Sequence, residues 1–251
     1  MQEDARTSRP LPLTVGLRRV LCPSDAVKRA LLVAGMGVAF CQQATGVEAA
    51  VYYTPETLEA AGIRDESMLM MATVGVGSIK VLFILLAAYL VERHGRVNLL
   101  LISSAGISIS QILIGASFSA GGAVWLALLG QCLFMAFFSI GSGPCSMLVA
   151  AECFPLQVRG LAMGVATLVN RVTSGCIALS FLSLTSALTP AVTYYTFAAI
   201  ALGACYFIAR YVPETKGRAL EEVERQMAER YISSTSLVSS TAGPTCRAAA
   251  V

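Results

Sequence analysis

Between positions 41 and 55 the chain reads CQQATGVEAAVYYTP. Two adjacent amides (Gln42, Gln43), a carboxylate (Glu48) and two phenols (Tyr52, Tyr53) interrupt a segment otherwise apolar enough to lie in a bilayer. The chemistry this set offers is recognition: buried amides and carboxylates discriminate ligands by the geometry of their hydroxyls. Polar groups at such depth are expensive and usually face a cavity or another helix. On an ideal helical wheel Gly46, Ala49 and Tyr53 share the face of Gln42, whereas Glu48 falls roughly two-thirds of a turn round. Unwinding at Gly46 would let Gln42 and Glu48 address one ligand, as discontinuous membrane helices do. The alternative is that these groups tie neighbouring helices together.

The elements that must carry these residues follow from composition. Of 251 residues, 56% are hydrophobic and 13% charged, against about 25% charged in soluble domains; the mean hydropathy is +0.70. Apolar runs at 30–54, 68–91, 98–120, 123–150, 161–186 and 190–211 each reach the ~20 residues that cross the hydrocarbon as a helix. The expected fold is an all-α membrane protein with six transmembrane helices. A cytoplasmic N-terminal segment (1–29), lacking the apolar core of a signal peptide, precedes the bundle (30–211). A cytoplasmic PETKG stretch and amphipathic helix (212–232) and a disordered Ser/Thr/Ala-rich tail (233–251) follow it.

Basic residues gather near the cytoplasmic ends of spans. Arg18, Arg19, Lys28 and Arg29 precede the first span, Arg93 and Arg96 follow the second, Arg159 follows the fourth, and Arg210, Lys216 and Arg218 follow the sixth; the alternate loops hold only Arg64. Both termini are therefore expected in the cytoplasm, and the net charge of +3 reflects topology rather than a nucleic-acid partner. Eight cysteines without a C-x-x-C pair, and a single histidine, His94, argue against a metal site or disulfide framework. No nucleophile paired with a base and no phosphate loop points to an enzyme, and no cofactor is expected.

Further candidates lie along the chain. Lys80 sits near the middle of span two, and Asn170 and Arg171 near mid-depth of span five. Charges so placed need partners or a water-filled path, and Glu48 is expected to pair with Arg171 or Lys80. Gly141, Gly143 and Pro144 predict a second break, in span four. The spans divide three and three, and the broken ones open their triplets, the sequence pointer to a binding site between inverted repeats. At the inner surface Arg93 and Arg96 flank Gly95, and Glu152 and Arg159 flank Phe154 and Pro155. These charges either latch one conformation or only set topology.

QQATG with YYTP (42–55), RHGR (93–96), GSGP…ECFPLQVRG (141–160) and VPETKG (212–217) resemble the C-terminal six-helix half of a sugar porter of the major facilitator superfamily, over roughly 17–230. Glu48, NRVTSG (170–175) and FLSL (181–184) are similar to the plant polyol and monosaccharide transporter branch. The resemblance implies proton symport of polyols or hexoses, with a proton as coupling ion and the plasma membrane rather than the vacuole as location. It implies a substrate-binding set of Gln42, Gln43, Glu48, Tyr53, Met147 and Asn170, and a cytoplasmic network of Arg93, Arg96, Glu152, Arg159 and Glu214 that latches the outward-open state. Met147 stands where the family usually has a tryptophan stacked on the sugar ring, and Val97 and Asn98 where it has Arg-Pro. The other cavity wall and the proton-carrying acid belong to the family's N-terminal half, which does not match this sequence; that half, or a full-length homologue, is the expected partner. The alternative is a truncated, non-transporting membrane protein that modulates a full-length relative.

Overall fold

The computed structural model describes residues 16–17, 20, 25–121, 123–217, 222 and 225–226. The expected disordered tail lies outside these residues, as do most of the N-terminal segment and of the helix after PETKG. Six helical stretches among them are long and apolar enough to cross a membrane.

Span one begins at Ala26 rather than at 30, because Asp25 caps it: its carboxylate accepts the N–H of Val27 at 3.2 Å. The span is interrupted, running as α1 (Ala26–Ala44) and α2 (Val47–Tyr52), with α3 (Thr54–Ala60) following. Gly46 makes the break with φ 82° and ψ 23°, a left-handed conformation that costs other residues a clash at Cβ. Span two is α4 (Glu66–His94), capped by Asp65, which accepts from Met68 N at 2.9 Å. Span three is α5 (Arg96–Ser119). Span four is broken at Gly141 into α6 (Val124–Ile140) and α7 (Ser142–Cys153). Spans five and six are α8 (Arg159–Leu188) and α9 (Pro190–Tyr211). Both expected breaks are present, each in the first span of its triplet.

The core centres on α5, which packs along α6 and α9, while α1 packs against α7 and α8. Helices in lipid gain nothing from excluding water, so close contact between small side chains replaces it. In α5, Ser103, Ser104, Ser108, Ser110 and Ser117 are buried. Ser110 and Ser117 satisfy their hydroxyls on their own helix, donating to Gly106 O and Ile114 O at 2.7 Å. A layer containing Leu31, Val97, Leu100, Cys145, Val149 and Ile208 closes the end of the bundle that bears Gly95. Spans two and five lie at the margin. α4 buries only Val76 and Ala87, and α8 buries Ala162, Ala166, Asn170, Ser174 and Phe181, a stripe spaced mostly by four that presents one face to the bundle.

Single residues join spans two to three and five to six, and they share a conformation: Gly95 at φ 84°, ψ 161° and Thr189 at φ 77°, ψ 149°. This region is open to glycine and costs others about 1–3 kcal/mol. Thr189 is exposed, so no packing of its side chain offsets the strain. Thr189→Gly should therefore stabilise the protein by about 1 kcal/mol once glycine's greater unfolded-state entropy is set against the relieved strain. Thermal unfolding in detergent checks this, with a raised midpoint as the expected result.

Candidate functional site

A cavity of about 500 Å³ opens where the two broken spans meet, lined by Gln42, Gln43, Glu48 and Tyr52 of span one, Ser139, Gly143 and Pro144 of span four, Lys80 and Arg171. The break at Gly46 brings Gln42 and Glu48 to the same cavity, although a continuous helix would point them apart.

Breaking a helix in hydrocarbon frees backbone groups that no water can satisfy. Side chains from neighbouring spans take them. Gln111 Nε2 donates to Thr45 O at 2.6 Å, and Gln131 Nε2 donates to Ala50 O at 2.6 Å and to Thr54 Oγ1 at 2.8 Å. At the second break the N–H of Ser142 donates to Ser103 Oγ at 2.9 Å, and the two hydroxyls lie 2.8 Å apart. Gln42 Nε2 donates to Ser142 O at 2.9 Å and Gly143 O at 3.2 Å, joining one break to the other. The sequence reading passed over Gln111, Gln131 and Ser103. The two glutamines carried the same signal as Asn170, an isolated amide deep in an apolar span.

Asn170 lies behind the cavity wall as a hub. Its Nδ2 donates to Gln42 Oε1 at 2.9 Å and Ala39 O at 2.8 Å, while its Oδ1 accepts from Gln43 Nε2 at 3.1 Å and from Arg171 Nη2 at 2.7 Å. The Gln42 amide is thus committed to the protein. Gln43 Oε1 and Ser139 Oγ are buried atoms without a partner among the described residues, and their residues line the cavity together with Glu48. Arg171 Nη1 stands 3.5 Å from Glu48 Oε1; the arginine side chain is 61% exposed and the glutamate 15%. Of the two partners expected for Glu48, the pair forms with Arg171.

Tyr53 and Met147 fall outside the lining. Tyr53 OH donates to Ala178 O at 3.1 Å and its ring stacks on Phe181 at 5.0 Å, so it clamps α2 to α8. Met147 packs beside the seam where Ala39, Ala150, Phe154 and Ala166 meet. Among the described residues no group of three His, Cys, Asp or Glu could hold a metal ion.

At the end of the bundle bearing the Gly95 turn, Glu214 accepts the N–H groups of Arg96 at 3.1 Å and Val97 at 3.2 Å. Its carboxylate so caps the N-terminus of α5, where unpaired N–H groups favour an anion. Arg96 Nη2 meets Glu152 Oε1 at 3.2 Å, and Lys216 Nζ donates to Arg93 O, an open carbonyl at the end of α4, at 2.7 Å. Arg93 and Arg159 do not join the carboxylates through their guanidinium groups. That of Arg93 lies over the Tyr89 ring at 5.3 Å, and Arg159 Nε donates to Phe154 O at 3.1 Å. The network thus runs through Arg96, Glu152, Glu214 and Lys216, narrower at the two arginines than the expected set and wider by a lysine.

Residues 18–227 match the family described as "Sugar (and other) transporter". The chain is 41% identical over 211 residues to "Probable polyol transporter 4" of Arabidopsis thaliana, covering 82% of this chain and 40% of that one. It is 30% identical to the "Glucose transporter GlcP" of Staphylococcus epidermidis, covering 80% of this chain and 45% of that protein. Among solved structures, the proton:xylose symporter XylE bound to 6-bromo-6-deoxy-D-glucose superposes with a TM-score of 0.72 at 26% identity, over 86% of this chain and 45% of XylE. The chain spans less than half the length of these relatives.

Two substitutions test the polar supports. Gln111→Leu leaves the Thr45 carbonyl unpaired and should cost about 1–3 kcal/mol of stability. Glu214→Ala uncaps α5 and should cost about 1–2 kcal/mol. Chemical unfolding in mixed micelles measures both, and neither variant should match the parent.

Proposed function

The chain belongs to the sugar (and other) transporter family, and on that premise we propose that it serves the transmembrane transport of polyols or monosaccharides, by proton symport. The observation that carries this reading is the cavity at the two helix breaks. There the unpaired Gln43 Oε1 and Ser139 Oγ sit with the Glu48 carboxylate, a set of acceptors and one hydroxyl suited to a ligand rich in O–H groups. A site built to hydrogen-bond hydroxyls rejects analogues that lack them, since its buried polar atoms would then stay unpaired. XylE is a proton:xylose symporter, and a proton is the coupling ion in this reading. The basic residues at the end of α4, the start of α8 and the end of α9 support cytoplasmic termini, and the plasma membrane is the proposed site of action.

The second reading is a non-transporting membrane protein that pairs with an N-terminal half or a full-length homologue and modulates it. The marginal position of spans two and five favours it: α4 buries two residues, and most of its apolar surface faces outward. Uptake of labelled glucitol into proteoliposomes separates the two. Saturable uptake supports transport by this chain; co-purification with a full-length polyol transporter and no uptake supports the second reading.

Glu48→Gln removes the charge that Arg171 faces and the charge-assisted bond open to a substrate hydroxyl. Glucitol affinity, or half-saturation where uptake occurs, should worsen about tenfold or more. Unchanged affinity and uptake across pH would refute the role given to Glu48.

A further inference from the structure

The cavity holds three charged side chains, Glu48, Lys80 and Arg171, and their charges do not cancel. Glu48 faces Arg171, whereas Lys80 has neither a hydrogen bond nor an ion pair among the described residues. Snorkelling cannot relieve it. Lys80 stands midway along α4 (Glu66–His94), with about 21 Å of helix to either end, far beyond a four-carbon stem. Nor does it point idly into lipid. Val76 and Ala87 are the buried residues of α4, and at 100° per residue Lys80 lies within about 40° of the line joining them, on the face that meets the bundle and lines the cavity. An ammonium held at mid-membrane against a neutral ligand is costly, while a ligand anion would turn that cost into a charge-assisted bond.

We propose that Lys80 forms an anion subsite within the cavity that Arg171 also lines, so that the preferred ligand is an acidic polyol, a polyhydroxylated chain bearing a carboxylate, rather than a neutral one. This rests on the polyol reading of the same cavity: Gln43, Ser139 and Glu48 take hydroxyls, and Lys80 takes the carboxylate at the far end. The rival source of the missing charge is a carboxylate from a partner membrane protein, in which case an acidic ligand gains nothing.

The test uses the purified chain in lipid nanodiscs and two probes with the same six-carbon hydroxylated skeleton, glucitol and gluconate, with acetate as competitor. Gluconate should bind about tenfold or more tighter than glucitol. Lys80→Met, close in shape and free of the unpaired charge, should bring gluconate affinity down to that of glucitol in the same variant; Lys80→Arg should keep the preference. Equal affinities, a preference for glucitol, a preference that survives Lys80→Met, or displacement of gluconate by equimolar acetate would each overturn the proposal. In the first three cases glucitol still binds and the polyol reading stands. Failure of both probes to bind overturns that reading and this proposal with it.

Discussion

Everything distinctive in this structure depends on backbone groups that cannot be left unpaired in hydrocarbon. Two spans are broken, at Gly46 and Gly141, and each break exposes carbonyl and N–H groups mid-membrane. Gln111, Gln131, Ser103 and Gln42 take them up, and in doing so bind spans three and four to span one. The cavity exists because the breaks exist, and the breaks persist because these side chains satisfy them. Among the buried polar atoms without a partner in the described residues, Gln43 Oε1 and Ser139 Oγ are the two whose residues line the cavity.

The same economy operates at the Gly95 end of the bundle. A helix starting one residue after another ends has four N–H groups without carbonyls, and Glu214 reaches across from beyond span six to accept two of them. The end of span two is met by Lys216 on Arg93 O. The chain after span six thus ties spans two and three to its own exit, and any rearrangement of these spans must break charge-assisted bonds rather than only slide apolar surfaces. The pairs are individually modest, since Arg96 and Glu152 are each partly exposed. Acting together, they can bias one arrangement of the bundle by a kcal/mol or so.

The large features were legible in the residues because each has a strong physical cause. Span number followed from apolar length, the first break from Gly46 within a polar run, the second from the glycine and proline cluster at 141–144, and an ion pair at Glu48 from isolated charges in lipid, although the residues alone left Arg171 and Lys80 both open as its partner. What escaped reading depends on rotation about a helix axis and on side-chain direction, which a list of residues does not contain. Tyr53 shares a wheel face with Gln42, yet it turns to Ala178 O and Phe181. Met147 packs at a seam, and the guanidinium groups of Arg93 and Arg159 meet a ring and a carbonyl. Gln42 was expected to offer its amide to a ligand; the carbonyls of Ser142 and Gly143 claim it first, because the second break created acceptors no linear reading could place beside it.

The most direct test of the account is a crystal structure of the chain grown with saturating glucitol. Ligand density between Gln43, Ser139 and Glu48, with hydroxyls within hydrogen-bond distance of Gln43 Oε1 and Ser139 Oγ, is the predicted result. An empty cavity, or glucitol bound elsewhere while those two atoms remain unpaired, would contradict the claim that the broken spans build a binding site.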